Sequence, residues 1–107
     1  MAAINMDHEL FEQSRNGNKP LLVDFWAPWC GYCRRISGAY DRIAEEYSGV
    51  VVAGKVNIDE EPGLADAEQI ETIPALVLYK HGKAVDSIIA PESKATIDRF
   101  LKGALEK

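Results

Sequence analysis

The sequence predicts an α/β sandwich: a central, mostly parallel sheet with an antiparallel C-terminal hairpin and helices on both faces. Three observations carry this. Leu21-Leu22-Val23-Asp24-Phe25-Trp26 is nearly all apolar, as a strand buried on both faces requires. From Gly31 onward the period changes to that of a helix with one apolar face. Strand-type and helix-type segments then alternate until two strand-type segments follow one another directly. Alternation implies parallel strands joined by right-handed crossovers, and the closing pair implies a hairpin.

Each element has its own warrant. A strand or coil opens the chain, and Asp7 is a suitable N-cap for a helix over 8–16 that Asn16-Gly17 closes. The apolar strand 21–26 follows. Ile36, Ala39, Tyr40, Ile43, Ala44 and Tyr47 then recur on one helical face, ended by Ser48-Gly49. Residues 50–58 are rich in β-formers. Pro62 suits the first turn of a short helix reaching about residue 69. Strands are expected over 75–79 and 84–90, split by Lys80-His81-Gly82-Lys83, whose glycine suits a hairpin. Ser93 caps a last helix with Ile97, Phe100, Leu101, Ala104 and Leu105 on one face. Phe25, Ile43, Leu76, Leu78, Ile97, Phe100 and Leu101 are read as core.

The 107 residues suit one domain, expected to span 1–107, long enough for a core without staples. Apolar residues at 47% and charged residues at 27% are the balance of an ordinary globular protein. A net charge of −5 argues against a nucleic-acid partner, which calls for a basic face. The acidic run Asp59-Glu60-Glu61 reads as a solvated loop. Residues 1–7 show neither a basic nor an apolar signal region, and no apolar run approaches the ~20 residues that cross a bilayer. The expectation is a cytoplasmic protein with no membrane partner.

Both cysteines lie in Trp29-Cys30-Gly31-Tyr32-Cys33. Cys30 follows the apolar strand and Cys33 falls in the first turn of the next helix. Residues three apart on a helix are neighbours, so a disulfide is within reach. Unpaired N–H groups at a helix start favour a thiolate, the attacking form in disulfide exchange. Three readings are open: a redox couple, half of a metal site, or an inert pair. A metal needs further ligands, and only His8 and His81 are on offer, with no second paired motif. A structural staple is unusual where thiols are kept reduced. The balance favours the redox couple, with no metal and no bound cofactor. Asp24, a carboxylate inside a buried strand, should have a raised pKa and so be able to accept a thiol proton.

Several stretches together resemble the thioredoxin family, over essentially the whole chain. Leu22-Val23-Asp24-Phe25-Trp26-Ala27, Trp29-Cys30-Gly31-Tyr32-Cys33, Val56-Asn57-Ile58-Asp59 and Ile73-Pro74-Ala75-Leu76 stand in the family's order and intervals. The resemblance implies the thioredoxin fold and disulfide reduction, with Cys30 as nucleophile and Cys33 as resolving thiol. It implies that Asp24 takes the proton of Cys33, with Lys55 nearby. The bland alternative is an Asp24–Lys55 pair that merely satisfies two polar groups. A cis Ile73-Pro74 bond would expose the backbone of residue 73 to an extended substrate. Trp29, Gly31, Tyr32, Ile73, Pro74 and Ala90 would form the docking surface. Partners implied are disulfide-containing client proteins and a thioredoxin reductase or equivalent electron donor. The chain would be a monomer serving electron transport and redox homeostasis.

The chain departs from the family pattern in four places. Tyr32 stands where common members carry proline; it restores an N–H near the first sulfur, expected to stabilise the thiolate and make a weaker reductant. Gly38 replaces a kinking proline, Ala75 a threonine, and Ala90-Pro91 a glycine-alanine pair. A protein-disulfide reductase is the first reading. A disulfide isomerase or oxidase is the second, on the strength of Tyr32. A non-catalytic binding module is the third, and the joint presence of both cysteines, Asp24 and Pro74 counts against it.

Overall fold

The computed structural model describes residues 3–107. Nine elements follow in order: β1 (Ile4–Asn5), α1 (His8–Arg15), β2 (Leu21–Trp26), α2 (Gly31–Glu46), β3 (Val52–Asn57), α3 (Pro62–Ala67), β4 (Ala75–Lys80), β5 (Lys83–Ile89) and α4 (Lys94–Leu105). They build one sheet in the order β1-β3-β2-β4-β5. The pairs β1–β3 and β2–β3 are parallel, while β2–β4 and β4–β5 are antiparallel. Only β4 runs against the rest, so the sheet is mostly parallel in strand direction. The hairpin joins the sheet through β4, which lies beside β2.

Side chains alternate across each strand, and both sheet faces are covered, which is why β2 is apolar almost throughout. Leu22, Leu76 and Leu78 pack with Ile36, Tyr40 and Ile43 of α2 and with Ile97 and Leu101 of α4. Leu21, Val23, Phe25, Val56, Val77 and Tyr79 face the other way, with Phe11 of α1 and Leu64 of α3. Phe100 is a correction to the expected core: it is half-buried at the rim. The buried Tyr40 hydroxyl donates to Gly54 O at 2.8 Å and approaches Leu22 O at 3.2 Å, tying α2 to β3 and β2. A Cβ on Gly54 would stand 2.5 Å from Met6 Sδ, so the buried Met6 thioether occupies the space that a side chain there would take.

The caps hold as expected, with Asp7 Oδ1 accepting from Leu10 N–H at 2.8 Å and Ser93 Oγ from Thr96 N–H at 3.2 Å. Several ends are tighter than the sequence pattern. α3 stops at Ala67 because Gln69 takes a left-handed φ of 60°. β3 starts at Val52 because the N–H groups of Val50 and Val51 both turn back to Tyr47 O. Lys80 and Lys83 pair, leaving His81 (φ 54°) and Gly82 (φ 80°) as a two-residue turn with both φ positive, the type I′ geometry. α2 passes through Gly38 without interruption. No helix among the described residues is long and apolar enough to cross a membrane.

Candidate active site

Four strand ends meet at one edge of the sheet. Phe25 pairs with Ala75, Ala75 with Ile89, and Trp26 with Asn57. Every site residue expected from the sequence, Lys55 and Asp24 included, lies on the strands that reach this edge, in the loops that leave it or, for Gly31, Tyr32 and Cys33, in the first turn of α2.

Cys30 closes the loop from β2 to α2, and Cys33 lies in the first turn of α2. Cys30 is the N-cap of α2, in extended backbone, and its Sγ accepts the N–H of Cys33 at 3.2 Å. The two sulfurs are joined in a disulfide, with Cα atoms 5.3 Å apart. The pair is asymmetric: Cys30 is half-buried, whereas Cys33 is only 3% exposed. The loop is held by Cys30 N–H to Ala27 O at 3.1 Å and by Arg34 Nη1 to Pro28 O at 2.8 Å.

Among the described residues the N–H that meets Cys30 Sγ belongs to Cys33, a donor that proline at 32 would leave in place. The Tyr32 side chain makes two contacts of its own. Its hydroxyl donates to Pro91 O at 3.0 Å, and the Arg35 guanidinium lies 5.9 Å from its ring centroid. Trp29 is 66% exposed, and its indole N–H points to the Asp59 carboxylate at 3.0–3.1 Å, so Asp59 is more than a solvated loop charge. Gly31 is exposed. Ile73-Pro74 is cis, and Pro74 O accepts the N–H of Ala90 at 2.9 Å. Ala90 has a φ of 47°, the left-handed region that its family counterpart glycine occupies freely.

Asp24 is 1% exposed and its Oδ1 has no hydrogen-bond partner. Burial pushes its carboxyl up to about 7; Lys55 pulls it down and Asp41 pushes it up, both less strongly. Lys55 is its register neighbour on β3, yet Oδ1 receives no hydrogen bond from it. The Lys55 ammonium donates to Ser37 Oγ at 3.3 Å and lies 5.2 Å from the centre of a Trp26 ring. A simple Asp–Lys pair is therefore not what the fold builds. A cleft of ≈ 170 Å³ lined by Asp24, Trp26, Cys33, Arg34, Ser37 and Lys55 joins the carboxyl to the inner cysteine. Ser37 is absent from the sequence-derived site. Its signal was the i+4 spacing from Cys33, which places both on one helix face. No group of three or more His, Cys, Asp or Glu among the described residues is arranged to hold a metal.

A disulfide at a helix start, with one cysteine half-buried and the other buried beside a carboxyl, can take an electron pair from a dithiol and, once reduced, pass it to another disulfide. The molecule is a dithiol–disulfide oxidoreductase. The family model described as Thioredoxin matches residues 2–103. The chain is 46% identical over 82 residues to the thioredoxin of Pyropia yezoensis, covering 77% of each. It is 39% identical over 102 residues to Thioredoxin 1 of Nostoc sp., covering 94% of this chain and 95% of that one. It is also 45% identical over 78 residues to the chloroplastic M-type thioredoxin of Spinacia oleracea, covering 73% of this chain and 43% of that one. The chain belongs to the thioredoxin family.

Proposed function

We propose that the protein reduces disulfides of client proteins, with Cys30 as nucleophile and Cys33 as resolving thiol. The unequal exposure of the two sulfurs carries this reading, because only the outer one is open to a bulky partner. The Cys30 thiolate attacks one substrate sulfur, forming a mixed disulfide and expelling the other as a thiolate that takes a proton from solvent. Cys33 then gives its proton to Asp24 and attacks Cys30. The second substrate thiol leaves, and the Cys30–Cys33 disulfide forms. Two electrons have passed to the substrate, and a reductase or equivalent dithiol donor restores the pair.

Lys55 tunes Asp24 through its charge. Trp29, Gly31, Tyr32, Ile73, Pro74 and Ala90 form the docking face, supported by their shared position at the sheet edge. The chain acts as one domain, residues 1–107, and as a monomer, in the cytoplasm, in electron transport and redox homeostasis, with no cofactor. The isomerase or oxidase reading rests on Tyr32 between the cysteines, and the reduction potential separates it from the reductase reading.

Insulin reduction coupled to a dithiol donor tests the assignment. Cys30→Ser abolishes turnover. Cys33→Ser accumulates a mixed disulfide on Cys30 that mass spectrometry detects. Equal trapping on Cys33 in the Cys30→Ser variant would overturn the order of the two thiols. A reduction potential near that of strong oxidants, with insulin left intact, would remove the reductase direction.

A further inference from the structure

Ser37 sits one helical turn beyond Cys33 on the face of α2 that looks into the cleft beside Asp24. Its hydroxyl takes a hydrogen bond from the Lys55 ammonium, which the Trp26 ring also faces. The carboxyl of Asp24, opposite Lys55 in the sheet register, is left with an unpartnered Oδ1. Two groups that ought to pair are thus held apart, and the group that occupies the cation is a serine.

We propose that Ser37 is a positioning residue: by holding Lys55 away from Asp24, it leaves the carboxyl free to exchange a proton with Cys33 across the cleft. The proposal rests on Asp24 being the proton acceptor of the resolving thiol. Its physical content is a competition for one cation. An ammonium moved onto a buried carboxylate would stabilise the charged form and make it a poorer base. Held by Ser37 and Trp26, the same ammonium offsets only part of the burial that keeps the carboxyl near 7.

The other groups around Asp24 do not supply this control. Asp41 and Tyr40 of α2 couple to it electrostatically, and Asp41 pushes its affinity for the proton up. Arg34 lines the cleft but its guanidinium is engaged with Pro28 O. Trp26 contributes an indole and β4 presents the apolar Leu76 at the paired position. Among the described residues Lys55 is the cation that couples to Asp24, and Ser37 accepts a hydrogen bond from it.

The test follows the Asp24 carboxyl by carbon NMR in the oxidised protein, where neither cysteine titrates. Ser37→Ala is expected to lower the Asp24 midpoint by about 0.5 pH or more, as a nearer opposite charge does. Ser37→Thr, which keeps a hydroxyl, is expected to titrate like the parent. In a Lys55→Met background Ser37→Ala is expected to have no effect, because there is no cation left to release. An unchanged midpoint in Ser37→Ala, or an equal shift with and without Lys55, would overturn the proposal. Resolution rates of Asp24→Asn separate this from the reading beneath it. If that variant resolves mixed disulfides at the parental rate, the proton-acceptor role fails whatever Ser37 does.

Discussion

Asp24 is the one charged side chain fully buried among the described residues, and its contribution to stability depends on pH. Its carboxyl sits at about 7 in the fold against an ordinary 3.8. Between those values the folded protein holds a proton that the unfolded chain releases, so stability falls as pH rises from about 4 to 7 and levels off above. At about 1.4 kcal/mol per pH, the loss is on the order of 4 kcal/mol. Asp24→Asn should therefore match the parent near pH 3 and exceed it by a few kcal/mol at pH 8, in urea unfolding of the oxidised protein. Equal pH dependence in the two proteins would contradict the burial argument. Ala90→Gly should gain about 1 kcal/mol, because a left-handed φ of 47° costs alanine and not glycine. At this scale the sequence showed what was locally anomalous. A carboxylate inside an apolar strand and a pair of cysteines both stand out. Ser37 does not, because a serine on a helix reads as solvated until Lys55, 18 residues away, is seen against it.

At the scale of elements, the signals that read well were those made by near neighbours. The caps at Asp7 and Ser93 and the helical apolar faces depend on residues within a turn or two. The position of β4 depends on pairing with β2, far away in sequence, and the hairpin pattern alone does not say which strand it will join. The turn between β4 and β5 gives a test of this local control. His81 and Gly82 both have positive φ, and the Gly82 value of 80° suits glycine. Gly82→Ala is expected to lower stability by about 1 kcal/mol or more, while His81→Asn is expected to raise it by a few tenths, since Asn-Gly is the favoured pair for this turn. Thermal melts of the two variants moving in the same direction would refute the turn assignment.

For the whole molecule, the Cα radius of gyration is 12.3 Å, against the ~13 Å expected of a compact chain of this length. Both sheet edges discourage pairing between copies: β1 has two residues, and β5 carries Lys83 and Asp86. Light scattering should accordingly give the mass of one chain, and a dimer at micromolar concentration would refute the monomer proposal. The layered architecture was legible from the alternation of patterns, because each apolar strand needs cover on both faces. The convergence of four strand ends was not, since it follows from register rather than composition. That convergence separates two kinds of inheritance. The packed clusters on the two sheet faces are built from strand interiors and helix faces, whereas Trp29, Ile73 and Ala90 lie in loops beyond the strand ends. A lineage carrying this fold can therefore exchange its clientele through loop substitutions such as Ala90-Pro91 while the interior stays constant.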